Sequence, residues 1–144
     1  MSEQISNTAG VIKAAFESLA QETLANLLAL YAENTRFKDP FNDVSGRAGV
    51  EKIFAHMFHQ VQTPRFVVTR VIDDAASGNL FMRWDFTFVS SGKPMHIHGA
   101  THFERDATGL ITLHRDYWDA AEELYEKLPL IGVLMRWLRR KLSV

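Results

Sequence analysis

The hydrophobic period of this chain changes once, near Pro64, and that change limits what the chain can fold into. Before it, apolar side chains recur every three or four residues: Val11, Ile12, Ala15, Phe16 and Leu19, then Leu24, Leu27, Leu28 and Tyr31, then Val50, Ile53, Phe54, Met57 and Phe58. Each set falls on one face of a helix, so three amphipathic helices are expected in the first sixty residues. After Pro64 the pattern turns into β-rich runs over 65–73, 80–90, 95–104 and 110–118. Asp73-Asp74-Ala75-Ala76-Ser77-Gly78, Ser90-Ser91-Gly92 and Asp106-Ala107-Thr108-Gly109 separate these runs. Connections this short join antiparallel neighbours. Helices first and a meander afterwards give an α+β fold, with the helices packed on one face of a curved antiparallel sheet.

A chain of 144 residues makes one domain with a sizeable core. Its 16 Lys+Arg against 17 Asp+Glu provide no basic field, so nucleic acid is not an expected partner. With no cysteine, a disulfide framework and a thiolate metal site are both excluded. The opening Met1-Ser2-Glu3-Gln4-Ile5 lacks the basic-then-apolar pattern of a secretion signal, and no apolar run reaches the length of a membrane span. A cytoplasmic location is therefore expected.

The segment 128–144 reads as a C-terminal amphipathic helix. Ile131, Leu134, Met135, Leu138 and Leu142 lie on one side, and Arg136, Arg139, Arg140 and Lys141 crowd the last turns. Cations there complement the helix dipole. Pro129 suits a helix start, with a break expected after Lys127. Such a helix can touch an anionic membrane surface, but packing on its own domain or on a partner subunit is the commoner use of the pattern.

Strand parity separates two faces. On 80–90, Met82, Trp84, Phe86 and Phe88 alternate with Arg83, Asp85 and Thr87, so the aromatic set is expected to face the helices. On the last strand, Ile111, Leu113, Arg115 and Tyr117 alternate with Thr112, His114, Asp116 and Trp118, and polarity does not choose between them. On 95–104, His96, His98 and His102 share one parity. Only Glu104 offers a carboxylate at a matching position, so a polar or subunit-facing surface is expected there rather than a metal site.

Asp39 stands out among the polar residues. It sits in Phe37-Lys38-Asp39-Pro40-Phe41, read as following directly on a helical segment. Aromatic neighbours desolvate a carboxylate and suit it to proton transfer near neutral pH. Asp-Pro is also a common turn dipeptide, so Asp39 could equally serve only to start a turn.

The run Tyr31-Ala32-Glu33-Asn34-Thr35-Arg36-Phe37-Lys38-Asp39-Pro40-Phe41, followed by Ser45-Gly46-Arg47 and the helix to Phe58, resembles the nuclear transport factor 2-like superfamily. Within it the chain is most similar to the ketosteroid isomerase and SnoaL-like polyketide cyclase branch, over roughly residues 10–119. The resemblance implies a cone, a bent sheet wrapped around helices, with an apolar pocket open at one end and dimerisation through the outer sheet face. It also makes Asp39 the match for the isomerases' proton-shuttling base. The isomerases' oxyanion-hole Tyr and protonated Asp fall on Phe16 and Thr101. Phe16 has no donor and Thr101 offers only a neutral hydroxyl, and losing one such donor costs about a hundredfold in rate.

By the same alignment His114, Asp116 and Trp118 face the pocket. Arg115-Asp116-Tyr117-Trp118-Asp119 is similar to the last strand of limonene epoxide hydrolases, whose first Asp is catalytic, so the resemblance makes Asp116 a candidate as well. Arg83-Trp84-Asp85 has the form of those enzymes' Arg-x-Asp pair, but its parity puts Arg83 and Asp85 outside.

The expected pocket is lined by Phe16, Phe54, Met82, Trp84, Phe86, Thr101, Phe103 and Trp118, with Asp39, Asp116 and His114 as the acid/base groups. It suits a largely apolar small molecule with one ionisable or enolisable group. Isomerisation, cyclisation and epoxide opening by water need no cofactor and no metal. The competing expectation is a non-catalytic member that binds a ligand, or acts as a dimeric scaffold, in the same cone.

Overall fold

The computed structural model describes residues 2–123 and 129–143. The first half holds α1 (Ser2–Glu17), a 3-10 turn at Gln21–Thr23, α2 (Leu24–Leu28) and α3 (Arg47–Gln60). Their buried faces are those read from the spacing: Ile12 and Phe16 on α1, Leu27 and Leu28 on α2, Val50 and Phe54 on α3. Between α2 and α3 lie two strands that periodicity did not indicate, β1 (Tyr31–Lys38) and β2 (Asp43–Ser45). Tyr31 therefore begins a strand instead of ending a helix, and Asp39 follows a strand. The cause is non-local, because β1 pairs with the last strand of the chain and Leu30 O accepts a 2.9 Å bond from Ile111 N.

The second half forms β3 (Gln62–Asp74), β4 (Asn79–Ser90), β5 (Lys93–Arg105) and β6 (Ile111–Tyr117). The six strands make one curved open sheet in the order β2-β1-β6-β5-β4-β3. Strands β3 to β6 pair antiparallel, as the short connections require, whereas β1 lies parallel to β6. Helix α1 covers β3 and α3 covers β1. Between helices and sheet, Ile12, Phe16, Leu27, Tyr31, Val50, Leu80, Met82, Phe103 and Ile111 form the main core. A second cluster of Trp84, Phe86, Phe88 and Ile97 continues along the concave face.

Two local features set which residues face inward. Ser91 and Gly92 join β4 to β5 with φ of 51° and 74°, the two positive values of a type I′ turn, which matches the twist of the strands and fixes their register. On β6, Leu113 pairs with Glu104 but Ile111 pairs with Arg105, so Thr112 is an extra residue in the ladder. This bulge lets Ile111 and His114, which differ in parity, both face the core at 0% and 2% exposure.

Helix α4 (Ala120–Glu123) follows β6, and α5 (Pro129–Leu142) opens on its proline as expected. The break placed after Lys127, Leu128 as a helix start and Val144 lie outside the described residues. On α5, Ile131, Leu134, Trp137, Leu138 and Leu142 are exposed, and Lys141 sits 5.3 Å from the Trp137 ring centre. Among the described residues no helix is long and apolar enough to cross a membrane.

The two faces of the sheet predict opposite responses to truncation. Leu80 is fully buried and Ile72 is 63% exposed. Leu80→Ala should destabilise the protein by about 2–5 kcal/mol, and Ile72→Ala by no more than about 0.5 kcal/mol. Chemical denaturation of the two variants measures both.

Candidate functional site

A cavity of about 500 Å³ opens where β1 and α3 meet the concave face of the sheet. Phe37, Phe54, Trp84, Phe86 and Trp118 line it, together with Asp39 and Asp116. A narrower pocket of about 30 Å³, room for about one water, lies among Phe16, Met82, Thr101, Phe103, His114 and Asp116. Phe54, Trp84 and Asp116 belong to both walls, so Asp116 stands where the two spaces meet. At the mouth, Phe41 packs edge-on against Trp118 with ring centres 5.6 Å apart. Arg83 and Asp85 stay outside: Arg83 is exposed, and Asp85 contacts His96 and His98 on the outer face. The carboxylate that meets these histidines is therefore Asp85 and not Glu104.

Asp116 is held by two chains of hydrogen bonds that converge on one oxygen. Thr101 Oγ1 donates to Asp116 Oδ1 at 2.6 Å, and the Trp84 indole Nε1 donates to Thr101 Oγ1 at 2.8 Å. From the other side, His114 Nε2 lies 2.7 Å from the same Oδ1, and Tyr31 Oη lies 2.7 Å from His114 Nδ1. Among the described residues none hydrogen-bonds Asp116 Oδ2, and Asp116 lines both spaces.

One proton arrangement satisfies every atom of this network. Burial, and after it the charge of Asp116, pushes the Tyr31 phenol well above its ordinary pKa, so Tyr31 keeps its proton and donates it to His114 Nδ1. The imidazole then carries its own hydrogen on Nε2 and donates to the carboxylate. Rings of Phe37, Phe103, Phe16 and Tyr31 surround His114, their centres 4.4, 4.9, 5.7 and 6.0 Å from its own. His114 is 2% exposed and both of its ring nitrogens are engaged.

Asp39 is built differently. Its Oδ1 accepts from Phe41 N at 2.8 Å, Asn42 N at 2.7 Å and Asn42 Nδ2 at 3.0 Å, and its Oδ2 accepts from Asn42 Nδ2 at 3.1 Å. This is the side-chain-closed turn that Asp-Pro sequences favour. The same residue also lines the cavity.

Tyr31 and the indole N–H of Trp84 were missed as polar members of the site. Tyr31 reads as the last apolar residue of a helix, and Trp84 as an apolar wall of the pocket. The available signal for Trp84 was Gly99, which the type I′ turn places directly opposite it. A Cβ on Gly99 would stand 2.4 Å from the indole, so only glycine lets the ring lie flat across β5 and reach Thr101.

A curved six-stranded sheet packed on helices is the cone fold of the nuclear transport factor 2-like class. The chain belongs to the SnoaL-like domain family, whose model matches residues 12–114. Among curated proteins no relative matches. Solved structures share the fold at low identity. One is an LEH-like epoxide hydrolase from M. tuberculosis, at 18% identity and a TM-score of 0.71 over 94% of this chain and 98% of that one. A hypothetical protein with a ketosteroid isomerase-like fold from Catenulispora acidiphila, solved with trimethylamine, matches at 17% identity and 0.67 over 82% and 88%. An NTF2-like protein of unknown function from Burkholderia pseudomallei matches at 16% and 0.71 over 83% and 93%.

Two outcomes follow from this geometry. Gly99→Ala should drive the indole off Thr101 and destabilise the fold by about 1–3 kcal/mol, read by denaturation and by loss of near-ultraviolet dichroism. Because the Tyr31 phenol is raised, the fold favours its neutral form. That contribution is complete below the free tyrosine value near 10 and is lost as pH climbs toward the raised folded value. A phenolate absorbance titration should show a tyrosine that ionises only with unfolding, and Tyr31→Phe should remove that phase.

Proposed function

We propose that the protein is a cofactor-independent acid/base enzyme acting on a largely apolar small molecule, of isomerase, cyclase or epoxide hydrolase type. Asp116 is the base. The observation that carries this reading is the convergence of two donor chains on Asp116 Oδ1, which fixes the carboxylate in the cavity wall while Oδ2 takes no hydrogen bond from the described residues. Through Oδ2, Asp116 takes a proton from the substrate, or from a water that attacks it, and returns it to the product. His114, held by Tyr31, and Thr101, held by Trp84, position the carboxylate and share the charge as it changes. The surrounding aromatic walls give the substrate an apolar surface to bind.

Asp39 is the second carboxylate of this proposal, at the mouth of the cavity. Its four hydrogen bonds to the turn favour a role in shaping the entrance over proton transfer, since they compete for the lone pairs a base needs.

Turnover measured against a panel of enones, epoxides and polyketide-like ketones tests the assignment. One substrate class should be converted, and Asp116→Asn should lower kcat by about a hundredfold or more while ligand binding and the melting temperature are retained. Asp39→Asn, which keeps an acceptor for the turn, should lower kcat by less than about tenfold. A hundredfold loss confined to Asp39→Asn would move the base to Asp39. Binding of panel compounds with no turnover in any class would instead favour a non-catalytic ligand carrier.

A further inference from the structure

On the convex side of the sheet, Asp85 of β4 and His96 and His98 of β5 bring three metal-binding side chains together, outside the cavity and unused by the chemistry proposed above. Asp85 pairs directly with His98 and Thr87 with His96, so the three side chains project from the same face. Asp85 Oδ1 lies 2.6 Å from His98 Nδ1 and 3.2 Å from His96 Nε2. One ligand atom from each residue falls within 4.8 Å of the others. The imidazole ring centres are 4.2 Å apart, and both rings are close to half exposed in the single chain.

We propose that Asp85, His96 and His98 form a binding site for a borderline divalent transition metal ion such as Zn²⁺. Ligand atoms about 2.0–2.2 Å from a tetrahedral zinc are roughly 3.3 Å from one another. The Asp85 to His96 separation already has that value, and the Asp85 to His98 pair has to open by roughly 0.7 Å to reach it. Side-chain rotation alone supplies such a change, because the backbone register holds both strands in place. Two imidazoles and one carboxylate select zinc, copper, nickel or cobalt over magnesium and calcium, which favour all-oxygen shells. Three protein ligands leave a four-coordinate ion one position on the solvent side, for water or for a donor from another molecule. His102, of the same parity, takes no part: it bonds Asn79 Oδ1 at 2.7 Å and stacks on Phe81.

Calorimetric titration of the intact protein with Zn²⁺ at neutral pH tests the proposal. The expected result is one ion bound per chain, a melting temperature that rises with Zn²⁺, and at least a tenfold loss of affinity in both His98→Ala and Asp85→Asn. These residues are exposed or half-exposed, so circular dichroism of the variants should match that of the parent. His56→Ala/His59→Ala on α3, which removes the other exposed histidine pair, should bind zinc as the parent does. No saturable binding, affinity unchanged in His98→Ala, or binding lost in the α3 double variant would each overturn the assignment.

Discussion

The register of the β4–β5 hairpin is the constraint on which both faces of this sheet depend. Ser91 and Gly92, both with positive φ, close it as a type I′ turn, and every pair along the two strands follows from that closure. Inside, the register sets Trp84 across from Gly99 and Met82 across from Thr101, which lets the indole cross the strand and bond the threonine. Outside, it sets Asp85 against His98. A slip of one residue would exchange the faces, exposing the aromatic set and burying Arg83 and Asp85. The apolar set Met82, Trp84, Phe86 and Phe88 stands against such a slip, since all four are buried only in the observed register.

Within the cone, the problem is to keep a carboxylate where a ligand can meet it, next to a wall of aromatic rings. Burying such a group without partners is costly, and partners on every side would leave nothing for a ligand. The structure divides the two oxygens of Asp116: one takes Thr101 and His114, the other takes no hydrogen bond from the described residues, and the residue lines the cavity. The division holds because the outer members are themselves anchored, Thr101 by Trp84 and His114 by the buried Tyr31. Asp39 shows the other solution, a carboxylate consumed by its own turn at the rim. Two acidic residues of similar sequence prominence thus acquire different surroundings through what lies beside them in space.

Much of the fold was legible locally. The helical faces carrying Ile12, Phe16, Leu27 and Phe54 were readable from spacing, as was the inward aromatic set of β4, because both periods are properties of the backbone itself. Strands β1 and β2 were not readable. Tyr31 fits a helical period as well as it fits a strand, and only pairing with β6, some eighty residues later, makes it one. The inward turn of His114 was legible only through family resemblance, since the bulge at Thr112 breaks the parity that a sequence reading would follow.

For the candidate site, the sequence by itself determined the material: an aromatic-rich concave face, carboxylates at Asp39 and Asp116, a histidine beside the second, and three histidines of common parity outside. Only the tertiary structure decided how these groups meet. It placed Tyr31 against His114 and Asp85, in place of Glu104, against His96 and His98. The physical reason is the range of the interactions. Period and turn chemistry act between residues a few positions apart, whereas hydrogen bonds and ligand sets form between side chains whose distance is fixed by strand register, bulges and a parallel crossover.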